Sequence, residues 1–528
     1  MLDKLKLLVT TGLLGLTLMS PALAADHTLR IAYTEDPKTA DVQKTSDAYT
    51  LPLNIFDRLV EAETSGPGQS KLTAGLAESW DVSEDGKTYT FHLRKGVLFH
   101  NGEELKADDV VFTFDRMLDP KTKALGTDIL DFVDGASERL DGTATSVRGL
   151  QAVDDYTVKI VLKEPYAAFI ALMASPQASI FNRKFTEPLG DQFGLSPETT
   201  NGTGPFVLKE YNLNDSQVME ANENYYKGRP KLDRIVVRVV ADAETLRMLF
   251  ESDELDVFDV DYATTQLPYF LSSDKWKEQI RSGPRVGIYY YNINQAVKPF
   301  DDVRVRKAFQ MAINRQEILE KNFYGKGMIE NGVMPRGVTC YAPATPIEYN
   351  PEKAKQLLAE AGYPNGVDIN LTQVSSWSSK WSDMNQIIQS QIKASGFNAQ
   401  IKMMDESAYL DARKAGTVDN YTQTWSADFN DPDNFFYTFF SKSGTAVRGY
   451  NNNDPEVFAA LDKARTMTNA DERCALYQKM NERIVQEDAA WVPLFSLDHT
   501  YVVQPRVKNF TVPWNGWSDM SYYQMEVE

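Results

Sequence analysis

Cysteine and histidine are scarce in this chain of 528 residues, with two cysteines, Cys340 and Cys474, and four histidines, His27, His92, His100 and His499, far apart. There is no Cys-x-x-Cys pair and no local cluster of His, Cys or Met, so neither a thiol redox motif nor a transition-metal site is indicated. Two cysteines are too few for a disulfide scaffold; one bridge and two separate thiols are both open readings. Also missing are a Gly-x-Ser-x-Gly elbow, a His-Glu-x-x-His helix and a phosphate loop. The stretch 272–275, SSDK, satisfies Ser-x-x-Lys and 442–444, KSG, resembles a penicillin-binding triplet. Patterns this loose arise by chance, and the accompanying Ser-x-Asn element is lacking. An exported serine hydrolase or peptidase is therefore the rival from another class. The expectation is a non-enzyme with no catalytic residue, no resident metal and no cofactor.

Positive charge is in deficit, with Lys and Arg at 55 against 74 Asp and Glu, a formal net charge of -19. This argues against nucleic acid and anionic membranes as partners, since both need clustered basic residues. The apolar run from Leu7 to Met19 is shorter than the roughly 20 residues of a membrane span. Lys4 and Lys6 precede it and Ala22-Leu23-Ala24 follows, the pattern of a secretory signal, residues 1–24, cut after Ala24. No cysteine lies near that cut, so a soluble, exported product without a lipid anchor is expected.

A chain this long exceeds the roughly 250–300 residues one core can serve, so two or three domains are expected. Strand and helix patterns alternate. In KTYTFHLRKGVLF, Tyr89, Phe91 and Leu93 share one face of a half-buried strand. The next helix places Val111, Phe114 and Leu118 on one face and Asp108 and Asp109 in its first turn. A second unit alternates at Val158, Ile160 and Leu162, and an apolar helix is expected after Pro165. Asn314 with Glu317, and Asn350 with Pro351 and Gly362, mark helix boundaries. The glycines of TTNGTGPF (199–206) fit a tight turn into a strand, since neither a lysine nor dinucleotide spacing accompanies them.

Residues 424–440, TWSADFNDPDNFFYTFF, set three aspartates among aromatic side chains. Their spacing lacks the glycine and distal glutamate of a calcium loop. Asp431 before Pro432 fits a helix cap and Asp433 the first turn. Phe435, Phe436, Tyr437, Phe439 and Phe440 cover too wide an arc for a surface helix. Asp428, before the cap, is left without a structural role.

The block 76–118 carries Ala77-x-Ser79-Trp80, Asp85-Gly86, Tyr89-x-Phe91-x-Leu93-Arg94, Gly96-Val97-x-Phe99-His100-Asn101-Gly102 and Ala107-x-Asp109-Val110. It resembles the signature of the family 5 extracellular solute-binding proteins, the oligopeptide-, dipeptide- and nickel-binding subunits of ABC importers. NGTGPFVLKEY, NENYYKG, PFDDVRVRKAFQMAINR, YNPEKAKQLLAEAGYPNG and WSADFNDPDNF follow in the family's order, so the likeness runs from about residue 28 to the C-terminus. It implies an α/β, two-lobed periplasmic-binding-protein-like fold (type II, cluster C) with an extra inserted domain. The implied division is 25–68, 195–290 and 497–528 for the core of lobe I, 69–194 for the insertion, and 291–496 for lobe II. It also implies a periplasmic, monomeric protein that closes on a peptide or peptide-like solute and is accepted by a membrane permease. An opine, a modified amino acid, an oligosaccharide or a metal chelate is the alternative cargo.

Carried over by motif, Asp428 meets the ligand's ammonium and the strand positions Thr424, Trp425 and Ser426 pair with its main chain. The chemistry suits the task, because backbone pairing ignores side chains and a charge-assisted bond fixes the end. The arginine that dipeptide-binding relatives use for the ligand carboxylate falls near Ser375. Lys380 and Arg448 are the substitutes considered. Trp377, with Trp381 beside it, and Thr45 and Ser46 complete the candidate lining. Trp80, Tyr89 and Phe91 are read as core of the inserted domain.

Overall fold

A computed structural model describes residues 27–45, 49–515 and 520–528. Strands and helices alternate throughout, the mixed α/β class expected. The expected leader and Ser46 lie outside the described residues.

Thr28–Tyr33, Arg234–Val239, Ser216–Ala221 and Phe206–Asn212 form one four-stranded sheet in that spatial order. The signature block lies on a second, antiparallel sheet of Ala77–Val82, Thr88–Leu93, Thr157–Val161 and Leu150–Asp154. On it Tyr89, Phe91 and Leu93 are buried and alternate with half-buried neighbours, as the period of two requires. The following helix, Ala107–Leu118, buries Val110, Thr113, Phe114 and Met117, the i, i+3, i+4, i+7 stripe, together with Leu118. Val111, expected on that face, is only half-buried: with valine at both 110 and 111, composition alone leaves the phase ambiguous by one residue. The apolar helix expected after Pro165 is a single turn, Phe169–Leu172, closed by a second short turn at Pro176–Ala178.

The largest sheet is built around the 13-residue strand Trp491–Val503. The segment 280–293 runs antiparallel beside it: Ile280–Pro284 pairs with its second half and Gly287–Ile293 with its first. This ribbon joins the part containing Val257–Asp259 to the part containing Asn420–Ser426, Val367–Val374 and Phe397–Met404. All of Gly287–Ile293 is buried, because both faces are covered. Ile288 and Tyr290 enter one apolar core, Tyr289, Tyr291 and Ile293 the other.

Local signals settle where they were expected. Asn314 Oδ1 accepts from Glu317 N at 3.1 Å and Asn350 Oδ1 from Lys353 N at 3.0 Å. Glu317 does not complete the reciprocal box; its carboxylate accepts from Lys321 and Gln391. In the 199–206 turn, a Cβ on Gly202 would lie 2.0 Å from the Ile55 carbonyl oxygen, and Gly204 N donates to that oxygen at 2.8 Å. Only glycine permits so close a backbone approach. Cys340 and Cys474 are disulfide-bonded, tying a loop to the helix Ala470–Glu482.

Candidate functional site

Asn420–Ser426 pairs with Gly287–Ile293 along its length, but its other edge meets Val367–Val374 at only one position, Tyr421 opposite Thr372. Beyond Tyr421 that edge is unpaired, and the Thr424 N–H there is met by the Gln423 side chain at 3.0 Å. An unpaired edge is what an extended ligand backbone can add to.

Ala427 N donates to Val286 O at 2.9 Å, and the chain then leaves the sheet at Asp428. Asn434 holds this corner: its Nδ2 donates to Asp428 Oδ2 at 3.0 Å, while its Oδ1 accepts from Asp428 N at 3.2 Å and Trp425 Nε1 at 3.1 Å. Among the described residues no lysine or arginine pairs with the Asp428 carboxylate. Burial pushes it up to about 6, with Asp128 adding to the rise and Asn434 and Arg448 opposing it. A buried carboxylate without a counterion is costly, and a cation delivered from outside relieves that cost.

Asp428 borders a cavity of about 550 Å³ that Asp57, Arg58, Glu61 and Lys227 also line. Asp57 accepts from Thr203 Oγ1 at 2.9 Å and Tyr225 Oη at 3.0 Å. Burial and then Glu61 push its carboxyl up to about 6, against Arg58 and Lys227. Arg58 is spent on Glu61, to which Nε donates at 3.0 Å. Two carboxyls that titrate near neutrality thus face one space. Next to Asp428, Phe429 packs on the core beneath the signature sheet and Asn430 Nδ2 donates to Ser70 Oγ at 2.8 Å. The corner therefore touches elements from both ends of the fold.

The other expected residues divide. Thr424 Oγ1 donates to Ile288 O at 3.2 Å, inside the sheet. Ser426 sits opposite Gly287 at the strand's last pair. Trp425 packs edge-on against Phe439 and beneath Arg448, whose guanidinium carbon is 4.4 Å from the indole centroid. Asp428 and Trp425 are thus brought together through Asn434, with Arg448 over the Trp425 ring; of the three, Asp428 alone lines the cavity. Lys380 is exposed at the first turn of the helix Ser379–Lys393, near Tyr289 and Trp381, and does not border the cavity. Trp377 packs on Trp381 and Tyr409, and Thr45 is buried away from the cavity.

Asp57, Arg58, Glu61 and Asn434 were not expected from the sequence. The signal for the first three is charge inside an otherwise apolar run, NIFDRLVEA, since buried charges persist only when paired. Asp431 and Asp433 do more than open a helix. Asp431 accepts from Asp433 N at 2.8 Å and takes both arms of Arg473 at 2.8 and 2.6 Å; Asp433 accepts from Arg465 Nε at 3.1 Å. Both aspartates are buried.

A sequence model of the bacterial extracellular solute-binding proteins, family 5 middle, matches residues 71–446. The dipeptide-binding protein of Escherichia coli K12 is 31% identical over 532 residues, 94% of this chain and 95% of that protein. Heme-binding protein A of Haemophilus influenzae is 32% identical over 475 residues, 86% and 84%. Among solved structures, HbpA2 from Haemophilus parasuis superposes with a TM-score of 0.80 at 27% identity, covering 95% of this chain and 100% of that one. The periplasmic binding protein DppA from Helicobacter pylori, in complex with the peptide STSA, gives 0.74 at 27%, covering 95% and 98%. Both are matched over nearly their full length, so the two-lobed architecture is shared and not just one of its sheets. The chain belongs to family 5 of the bacterial extracellular solute-binding proteins.

Proposed function

We propose that the protein is the periplasmic solute-binding subunit of an ABC importer, capturing a peptide or peptide-like solute between its lobes and presenting it to the membrane permease. The observation that carries this is Asp428: an unpaired, half-buried carboxylate at the end of an open strand edge, facing the cavity. The ammonium of a peptide would satisfy the carboxylate while its main chain pairs with residues 424–426. Relatives named for dipeptides, for di- and tripeptides and for glutathione support the cargo class. Closure of the lobes would expel water and strengthen each charged contact.

In this reading the leader is removed after Ala24 and the mature protein works as a monomer without a lipid anchor. Lobe I comprises 25–68, 195–290 and 497–528, the insertion 69–194, and lobe II 291–496. The pairing of Gly287–Ile293 with Asn420–Ser426 over its full length favours moving the boundary at 290 back to about 286. Calorimetric titration of the mature protein with a di- and tripeptide panel tests the function. Binding of free peptides that is lost on N-acetylation supports it; absence of any peptide binding at millimolar concentration overturns it.

A further inference from the structure

The charged side chains that line the cavity do not balance. Asp57, Glu61, Glu63 and Asp428 are acidic; Arg58, Lys71 and Lys227 are basic. Arg58 is taken by Glu61, whose carboxylate accepts from the Arg58 backbone N–H at 3.1 Å and from its Nε at 3.0 Å. Lys227 lies 3.9 Å from Glu63, and Lys71 is exposed. Among the described residues, Asp57 and Asp428 are therefore the two lining carboxylates that no ion pair reaches.

Asp57 is only 3% exposed, and the groups that hold it are neutral. Thr203 Oγ1 donates to its Oδ2 and Tyr225 Oη to its Oδ1, one bond to each oxygen. An ionised carboxylate accepts about four bonds, so each oxygen keeps an acceptor position. Burial, and then the charge of Glu61, disfavour the ionised form; Arg58 and Lys227 favour it without making up the difference. Two hydroxyl bonds do not offset the cost of a buried charge, whereas a cation arriving from the cavity does. Tyr49, Leu53, Leu72, Phe429 and Trp514 line the same space. They offer apolar surface to the methylene stem of a long basic side chain whose charged head must reach a carboxylate.

We infer that Asp57 is a second cation subsite of this cavity and that the solute carries two positive charges, an amino terminus held at Asp428 and a basic side chain held at Asp57. This rests on the peptide reading above and deepens it by naming the kind of peptide. An uncharged side chain of equal length leaves Asp57 buried without a counterion, while a lysine or arginine supplies one through a charge-assisted bond. The formal net charge of -19 acts in the same sense at longer range, drawing cationic solutes towards the protein.

The test uses trialanine and its relatives with a single lysine or a single norleucine at each of the three positions, titrated calorimetrically into the wild-type protein and the D57N variant. At one position or more, wild type is expected to prefer lysine to norleucine by about tenfold or more. D57N should bring that ratio towards one, while N-acetylation of trialanine weakens binding as it does in wild type. Equal binding of lysine and norleucine peptides at all three positions, or a ratio unchanged in D57N, overturns the subsite; the peptide reading stands if N-acetylation still weakens binding. Proton release at pH 6, measured in two buffers of different ionisation enthalpy, needs no variant. The favoured lysine peptide should release more protons than its norleucine counterpart as Asp57 ionises, and equal release overturns the assignment. If no peptide binds, 1,5-diaminopentane separates the two readings. A rise in the melting temperature of wild type that is lost in D57N means that the peptide reading falls and the subsite holds; no rise, or an equal rise in D57N, overturns both.

Discussion

Tyr166 donates its phenolic proton to Asp433 Oδ2 at 2.7 Å, a buried bond between the region of the signature sheet and the helix that follows the Asp428 corner. Arg465 completes the contact: it pairs with Asp433, lies 3.6 Å from the Tyr437 centroid and flanks Phe132 and Tyr166, which are stacked 4.0 Å apart. Tyr166→Phe removes one bond and leaves Arg465 in place, so it should lower stability by about 1–2 kcal/mol. Arg473→Met leaves Asp431 buried and unpaired and should cost about 3–5 kcal/mol. Urea unfolding of both variants checks the order; a Tyr166 variant costing more than the Arg473 variant would contradict it.

Asp428→Asn keeps the Asn434 contacts within reach and removes the charge. Loss of one charge-assisted bond, about 1.5–3 kcal/mol, corresponds to a drop of about 10- to 100-fold in affinity for peptides with a free amino terminus. Affinity for N-acetylated peptides should be unchanged. Calorimetry on both ligand sets gives the answer, and an equal loss for both would remove Asp428 from the ammonium site.

The pH dependence follows from the raised carboxyls. Asp428 and Asp57 titrate near 6 in the folded chain, against 3.8 ordinarily, and Asp488 and Glu330 are raised by burial as well. Between those values the folded chain holds more protons than the unfolded one, so the stability of the unliganded protein should fall as pH rises from about 4 to about 6. A ligand cation favours the ionised Asp428, so binding at pH 6 should release protons, and affinity should drop as pH falls below 6. Calorimetry at pH 6 in two buffers of different ionisation enthalpy measures the release. Asp428→Asn should abolish the Asp428 share; a buffer-independent wild-type heat would refute the assignment.

The Cys340–Cys474 bridge closes a loop of 134 residues. Restricting so long a loop in the unfolded chain contributes up to about 5 kcal/mol, with measured bridges more often at 2–4. The Cys340→Ala/Cys474→Ala protein should therefore unfold at lower guanidinium concentration while keeping its peptide affinity, since neither cysteine borders the cavity. A matching loss of affinity would place the bridge's effect in the site.

What could be read in advance was what neighbouring residues decide. Tyr89, Phe91 and Leu93 announced their strand by alternation, and Asn314 and Asn350 their helices by capping chemistry, because both depend on a few residues in a row. On the helix Ala107–Leu118, Phe114 and Leu118 are buried as read, and Val111 alone departs because Val110 and Val111 are equally apolar. Asp431 and Asp433 read as a helix start; Arg465 and Arg473, which make them buried ion pairs, lie more than 30 residues away with no local mark. The bridge between the cysteines was equally out of reach. Along the cavity, Asp428 was singled out through family likeness and Asp57 was not, although the apolar run around Asp57, Arg58 and Glu61 carried the sign of a paired, buried charge.

The strand Trp491–Val503 bears on how the chain comes into being. It pairs with four other segments of the largest sheet, Val257–Asp259 and Gly327–Ile329 among them, and yet it follows all four in the chain. Until it emerges, the strands it joins have an unfilled gap between them and the apolar faces of 280–293 lack their cover. The large sheet therefore cannot close before Trp491–Val503 has been made, and a polypeptide built in this order keeps those partners waiting for a strand that follows all of them.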